Sequence, residues 1–283
     1  MTTLPIVVCV LAHNEERRIA RCLSSMPQAS DGIAVHVVVN GSTDRTAQIA
    51  RTFPVTVHDW AQGGKARSWN RFVLDTPGIE GEAFVFVDGD AEVVPGSIEA
   101  LARTLADHPQ ANAASGLAAN GRRAEAYRRE LIASRGLFGD LYALSGSFVA
   151  RLRASGIRLP EDLIGDDSLV GALAKTGLAD ESDWRDDRIV PCPQAGFLCE
   201  PTALTSLASL RGQYARMVNY AVRHFQNRMV SQIMREAGPQ GLPRRMAELY
   251  PEWLPRLAPR FSPVWFWFDR KALARMRAAS PSS

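Results

Sequence analysis

Residues 84–101 read FVFVDGDAEVVPGSIEAL. An apolar run, Phe84-Val85-Phe86-Val87, has the length and composition of a strand buried on both faces, and it passes without a break into Asp88-Gly89-Asp90. Two carboxylates two positions apart repel each other unless a cation neutralises them. Hard divalent ions take oxygen ligands, commonly one or two carboxylates plus the phosphates of a substrate. The stretch therefore points to a metal–diphosphate site at the end of a core strand, with Gly89 letting the backbone come close. An isolated D-G-D is more often a solvated turn. The strand before it and the polar clusters described next reverse that weighting.

Upstream, short apolar runs alternate with amphipathic helices: strands at Ile6–Leu11, Ala34–Val39 and Val55–His58, and helices at Glu15–Ser25, Thr43–Phe53 (Ser42 as N-cap) and Ala66–Leu74. A further helix is expected over Pro95–His108, with proline at its first position. This β-α order implies a parallel sheet with right-handed crossovers. In such sheets ligands bind beyond the carboxyl ends of the strands. The first, second and fourth strands end in His13-Asn14-Glu15-Glu16, Asn40-Gly41-Ser42-Thr43-Asp44 and Asp88-Gly89-Asp90, which places three polar clusters on one sheet edge. After residue 110 the pattern is weaker. Helices are expected at Arg122–Ala133, Asp167–Lys175 and Thr205–Glu236, strands at Ala143–Ala150 and Ile189–Cys192, and irregular chain over 237–263.

The chain has 283 residues, 46% hydrophobic and 22% charged, enough for a sizeable core. No apolar run reaches the roughly 20 residues of a membrane-spanning helix. The first residues, MTTLPIVVCVLAHNEE, show no basic leader or cleavage site, so no signal peptide is expected. Cys9, Cys22, Cys192 and Cys199 lack zinc-site spacing and are expected as buried, reduced thiols of a cytoplasmic protein. Charge is uneven: residues 1–210 carry −6 and residues 211–283 carry +9. The basic tail is also aromatic, with Trp265-Phe266-Trp267-Phe268 followed by Arg270, Lys271, Arg275 and Arg277. Such a segment suits an acidic partner, a lipid headgroup layer or a diphosphate. Contact of residues 261–283 with the inner face of the membrane competes with packing of the tail on the rest of the chain or on a second copy.

Taken in order, VVCVLAHNEERRIARCLSSM, VVVNGSTDRTAQIA, GGKARSWN and FVFVDGDAEVVPGSIEAL resemble glycosyltransferase family 2, the inverting nucleotide-sugar transferases of GT-A fold. The resemblance is dense over residues 5–105 and thins to LSGSFVARLRASG, LIGDDSLVGAL and SLRGQYARMV. It implies a GT-A, Rossmann-like α/β fold: a mixed, mostly parallel sheet flanked by helices, with a helical, basic C-terminal segment. A catalytic domain would cover 1–204, divided into a nucleotide-binding half (1–110) and an acceptor half (111–204), and a helical extension would cover 205–283. Ala12, Asn14, Glu15, Asn40, Gly41, Asp44, Lys65 and Asp88 are implied near the nucleotide sugar, with Asp90 and Asp88 on a divalent metal ion, Mn²⁺ or Mg²⁺. Val39 stands where the family often has a carboxylate that contacts base or ribose, which leaves the choice of nucleotide open.

Asp166-Asp167 resembles the acidic pair whose second member is the family's catalytic base. Displacement at the anomeric carbon needs a base for the acceptor hydroxyl, on the face opposite the leaving diphosphate. Asp167 is the first choice, and Glu161-Asp162 is the competing pair. A helix N-terminus also favours acidic residues, so 166–167 carries a structural reading beside the catalytic one. Gly146 is implied at the acceptor site. Gln213 and Arg216 match the spacing of the Gln-x-x-Arg-Trp motif of some members, with Met217 in place of Trp.

Other chemistries lack their motifs. QGGKARS is no P-loop, no G-x-G-x-x-G follows the first strand, no H-E-x-x-H occurs, and Ser145-Gly146-Ser147 lacks the frame of a serine hydrolase. Three classes remain: an inverting glycosyltransferase, a nucleotidyltransferase acting on sugar phosphates, and a non-catalytic nucleotide-sugar-binding homologue. The partners expected are a nucleotide-diphosphate sugar and an acceptor of unassigned class, with no nucleic acid.

Overall fold

The computed structural model describes residues 5–27, 32–121, 123–199 and 207–281, the side chains of the last stretch from residue 209. Its first strand, β1 (Ile6–Ala12), is buried at every position, as a strand covered on both faces must be. Then come α1 (Ile19–Ser24), β2 (Ile33–Asn40), α2 (Thr46–Ala50), β3 (Thr56–Trp60), α3 (Lys65–Asn70) and β4 (Ala83–Asp88). The pairs β1–β2, β2–β3 and β1–β4 are all parallel. The chain continues through β5 (Ala91–Val93), α4 (Ser97–Asp107), β6 (Ala113–Ala118), α5 (Ala124–Ser134), β7 (Leu141–Ser145), α6 (Gly146–Ser155), α7 (Asp166–Thr176) and β8 (Ile189–Cys199). It ends in α8 (Leu207–Glu236), α9 (Tyr250–Trp253) and α10 (Pro263–Ala279).

Among the described residues these strands form one eight-stranded sheet in the order β3-β2-β1-β4-β7-β6-β8-β5. β7 runs antiparallel to both its neighbours and β5 antiparallel to β8, so the sheet is mixed and mostly parallel. The period of two along each strand divides the core between two faces. Val7, Cys9, Leu11, Phe84 and Phe86 point to one, together with Trp69, Tyr142 and Phe148. Val8, Val10, Val85 and Val87 point to the other, against Ile19, Leu23, Ile98 and Leu101. Directly behind the end of β4, Phe86 stacks on Tyr142 with centroids 4.9 Å apart, and Trp69 Nε1 donates to the Tyr142 hydroxyl at 2.9 Å. This buried aromatic stack gives Asp88 a rigid backing.

Several expected boundaries move for local reasons. Ser42 is not a helix cap; its hydroxyl accepts the Asn14 N–H, and Asp44 takes the Thr46 N–H instead. Pro95 lies in a turn ahead of α4, which begins after Gly96 at φ 81°. The expected strand Ala143–Ala150 stops at Ser145, whose hydroxyl accepts the Phe148 N–H and starts α6. The helix expected over Ala66–Leu74 is α3 running into a wide π-type turn, Arg71–Asp75. The strand at Ile189–Cys192 extends to Cys199.

The boundary expected at 204/205 lies outside the described residues, as do Arg122 and the first residues of the helix expected from Thr205. Beyond it, Phe225 and Met229 of α8 and Leu273 and Met276 of α10 join the same apolar cluster as Phe84 and Phe86. Asp269 of α10 is fully buried and holds the Arg260 backbone N–H and guanidinium, at 2.7 to 2.9 Å. Tyr214 of α8 meets Trp267 edge-on and Phe268 at a tilt. Phe261, Val264, Phe266 and Trp267 remain exposed beside Arg270 and Lys271. No helix among the described residues is long and apolar enough to cross a membrane.

Candidate active site

β4 delivers its carboxylates to the sheet edge by a close crossing. The Gly89 N–H donates to Leu11 O at 2.8 Å, and a Cβ at residue 89 would lie 2.8 Å from that of Ala12. Only glycine lets the turn lie against β1 in this way. Beyond it opens a cavity of about 610 Å³, lined by Asp88 and Asp90 with Glu15, Asn40, Lys65, Asp166, Asn219 and Arg275. The size suits a small-molecule ligand site.

The first two loops brace one another. Asn14, at φ 57°, accepts the Thr43 N–H at 2.8 Å and donates its own N–H to Ser42. Against the effect of burial, the Thr46 hydroxyl and then the Glu16 and Thr46 N–H groups, both at 3.0 Å, donate to Asp44 and hold its carboxyl below the usual range. Asn14 and Asp44 therefore shape the rim and do not line the cavity. Asn40 is buried, donating to Ala12 O and accepting the Gly64 N–H. Gly41 crosses Gly63 and donates to Trp60 O. Glu15 does face the cavity. Burial, and after it the Asp90 charge, pushes its carboxyl up to about 7 against the opposing pull of Arg18 at 2.7 Å. Val39 is fully buried in the apolar cluster and offers no polar contact.

Lys65 is the central cation. Its Nζ lies 2.6 Å from Asp88 Oδ1, 2.9 Å from Asp88 Oδ2 and 3.8 Å from Asp166 Oδ1. Burial disfavours its charge, but Asp166 and Asp88 outweigh burial, so the ammonium is held firmly protonated. Burial pushes the Asp88 carboxyl up to about 8 in spite of Lys65, and Asp140 and Asp166 add to the rise. Asp166 opens α7, 3% exposed, with Oδ2 lacking any hydrogen-bond partner. Burial raises its carboxyl as well. Asp167, 8% exposed, is gripped by Arg223 of α8: the guanidinium Nη2 stands 3.0 Å from Oδ1 and 3.1 Å from Oδ2, and also reaches the Ser168 hydroxyl.

The competing acidic pair also lines the cavity, but its carboxylates are held by other groups. Asp162 accepts the Met246 and Ala247 N–H groups, and Glu161 pairs with Arg67 and Arg244. Gly146 is a correction. It donates to Glu82 O beyond the N-terminal end of β4, the opposite end from Asp88, and lines a separate cavity there. Gly139 is the glycine of that region that borders the site, 3.2 Å from Lys65 Nζ to its ideal Cβ position. Gln213 and Arg216 lie on α8 but not on the cavity wall; Asn219, one turn further along, lines the cavity, and Arg223, one turn beyond it, grips Asp167.

A model of glycosyl transferase family 2 matches residues 7–157, more than half of the chain. The chain belongs to glycosyltransferase family 2. Within curated members it is 31% identical to protein RfbJ of Shigella flexneri over 85 residues, 30% of this chain and 64% of RfbJ. It is 30% identical to the 4,4'-diaponeurosporenoate glycosyltransferase of Staphylococcus haemolyticus over 96 residues, 32% of this chain and 26% of that protein. The chain thus spans less than two thirds of the length of either relative. Among solved structures, the mannosyltransferase PcManGT of Pyrobaculum calidifontis, in complex with GDP-Man and Mn²⁺, superposes with TM-score 0.58 at 21% identity, covering 98% of this chain and 86% of that one. Glucosyl-3-phosphoglycerate synthase of Mycobacterium tuberculosis, with Mn²⁺, UDP-Glc and phosphoglyceric acid, gives 0.51 at 20% identity, covering 76% and 79%. The fold is the GT-A fold.

Family 2 membership places the polar sheet edge as the place to test for a divalent ion, and the donor set fits one. Asp88, Asp90 and Asp140 present oxygens within 4.8 Å of one another, and Asp166, paired with Lys65 through Oδ1, lines the same cavity with an Oδ2 that has no hydrogen-bond partner. Asp140 escaped sequence reasoning, as did Arg223, Asn219 and Arg275. One signal was available for Asp140: in FGDLYALS a Gly-Asp pair abuts an apolar strand, a mirror of the FVFVDGD pattern. For Arg223 the signal was helical spacing, since 216 and 223 lie seven residues apart on one face.

Proposed function

We propose that the protein is an inverting glycosyltransferase that moves a sugar from a nucleoside diphosphate sugar to an acceptor hydroxyl. The observation that carries this reading is the meeting of Asp88-Gly89-Asp90, at the end of β4, with Asp166 of α7 around one cavity, Asp167 following Asp166 in the first turn of the helix and outside the cavity lining. The donor's diphosphate lies at the carboxylate edge, beside Lys65. A divalent cation held there by the strand-end carboxylates, Asp90 foremost, supplies charge neutralisation to the leaving diphosphate. Asn40 and the loop braced by Asn14 and Asp44 frame the nucleotide. A carboxylate oxygen of Asp167 takes the proton of the acceptor hydroxyl as the new bond forms, from the face opposite the diphosphate. Arg223 fixes the orientation of that carboxylate, and Asp166 is tied to Lys65. The family's neighbours in complex with GDP-Man or UDP-Glc support the donor class, and the acceptor's class is open.

The exposed row Phe261, Val264, Phe266 and Trp267, flanked by Arg270 and Lys271, supports peripheral contact with an anionic membrane surface. Residues 1–204 are taken as the catalytic unit and 205–283 as its helical extension.

The test is release of nucleoside diphosphate with Mn²⁺ across a panel of nucleotide sugars, with Asp90→Ala and Asp167→Asn beside the parent. Each variant should lose at least ~100-fold in rate. Pyrophosphate release would favour nucleotidyl transfer, binding without turnover a non-catalytic homologue, and full activity of Asp167→Asn would remove the base from the scheme.

A further inference from the structure

The three carboxylates at the sheet edge are not equivalent. Asp88 has both oxygens on the Lys65 ammonium, at 2.6 and 2.9 Å. A dication placed on Asp88 would compete with that ammonium for the same lone pairs and be repelled by it. Asp90 has one long contact, to Arg18 at 3.3 Å, and a side chain 38% exposed towards the cavity. Among the described residues Asp140 accepts only from the Cys199 thiol, at 3.5 Å, a weak donor. The free lone pairs of the cluster therefore belong to Asp90 and Asp140.

The position of Asp140 follows from strand pairing. β7 runs antiparallel to β4 with Val87 opposite Leu141, so the residue before Leu141 arrives opposite Asp88. The Asp88 N–H points to Asp140 O at 3.4 Å. Asp90 reaches the same point from the other side of the turn. A second observation points to a cation: Asp166, 3% exposed, lines the same cavity with an oxygen that nothing satisfies. These four carboxylates meet two cations, Lys65 and Arg18, with Arg275 on the same wall, and a surplus of acidic groups is costly to bury unless a further cation enters.

We propose that Asp90 and Asp140 are the two protein ligands of the divalent cation, and that Asp88 is reserved for Lys65 and holds it in place. Two carboxylates leave the remaining positions of a six-coordinate ion to diphosphate oxygens and water. This assignment rests on the donor reading above.

The test is Mn²⁺ binding to the full chain in the presence of GDP or UDP, read from the electron paramagnetic resonance signal of free Mn²⁺. Outer-sphere partners of metal ligands already cost 10–100-fold in affinity, so Asp140→Asn and Asp90→Asn should each weaken Mn²⁺ binding at least ~10-fold. Asp88→Asn should weaken it less than either. Without metal, Asp140→Asn should melt no lower than the parent, because it relieves like-charge crowding. If Asp140→Asn fails to fold, Asp140→Glu serves: it keeps the charge at a longer reach and should bind Mn²⁺ measurably but more weakly. Parental Mn²⁺ affinity in Asp140→Asn, alongside loss in Asp90→Asn, overturns the assignment and leaves the donor reading intact. Failure of the parent chain to bind Mn²⁺ with either nucleotide overturns both.

Discussion

Replacing Gly165 by alanine should disarm Asp167 without touching it. Gly165 precedes α7 at φ 88°, a conformation that costs a residue with a side chain roughly 1–2 kcal/mol. Its Cβ would lie 2.6 Å from Arg223 Cδ and closer still to Nε, so the guanidinium must leave its seat. With it go the two contacts to Asp167, at 3.0 and 3.1 Å. Hydrogen bonds to charged groups contribute about 1.5–3 kcal/mol, and the Arg223 side chain is 31% exposed, so the lower end applies, about 1.5. Gly165→Ala should therefore destabilise by about 2.5–3.5 kcal/mol and Arg223→Ala by about 1.5. The double variant should cost no more than Gly165→Ala alone, leaving a coupling near 1.5 kcal/mol. Urea denaturation of the four proteins measures this cycle, and nucleoside diphosphate release measures the consequence for the base. All three variants should lose activity together. Additive stabilities, or parental turnover in Gly165→Ala, would refute the view that residue 165 is glycine to seat Arg223 on Asp167.

Three further outcomes follow from the same contacts. Asp162→Ala removes the acceptors of two backbone N–H groups and should cost about 2–3 kcal/mol in thermal or chemical unfolding, whereas Asp162→Asn keeps one acceptor and about half the loss. Burial, and after it the neighbouring His58, lowers His36 from 6.5 to about 4. The unfolded chain then binds the proton first, so stability is unaffected above pH 6.5 and falls as pH drops towards 4. The loss is roughly 1–2 kcal/mol after discounting for partial exposure, and His36→Gln should flatten it. For the membrane contact, Arg270→Gln with Lys271→Gln should weaken sedimentation with anionic vesicles at low salt by about 30-fold, at about 1 kcal/mol per cation. A parent protein that stays in the supernatant refutes the contact.

The first half of the chain was legible because its signals are local. Apolar runs of strand length, each ending in polar residues, fix β1, β2 and β4 and the edge they share. Gly89 could be assigned to a close backbone approach because a glycine between two carboxylates at a strand end has few other uses. What failed was also local in origin. Ala143–Ala150 looks like a strand on composition, but Ser145 can cap a helix as readily as it can continue a sheet, and pairing with β4 ends there. Pro95 reads as a first helical residue until the positive φ of Gly96 is known.

The second half of the site is assembled by long-range packing, which no window of sequence displays. Asp140 reaches Asp88 through the register of β7, Arg223 reaches Asp167 across the α7–α8 contact, and Arg275 comes from the last helix. The Gln213–Arg216 expectation shows how close spacing alone can come. It fell on the helix that carries Asn219 and Arg223, but where along α8 the helix meets the cavity is set by the burial of Ala221, Phe225 and Met229 against the sheet core. Anchoring that run against the core leaves Asn219 on the cavity wall and Arg223 on Asp167, and puts Arg216 in solvent. The same anchoring ties the charge of the C-terminal segment to the chemistry of the sheet. Arg223 of α8 reaches Asp167 because the helix is buried in the same core that backs the strand-end carboxylates. Polar substitutions at Phe225 or Met229 should therefore loosen Arg223 from Asp167 as surely as removing the arginine.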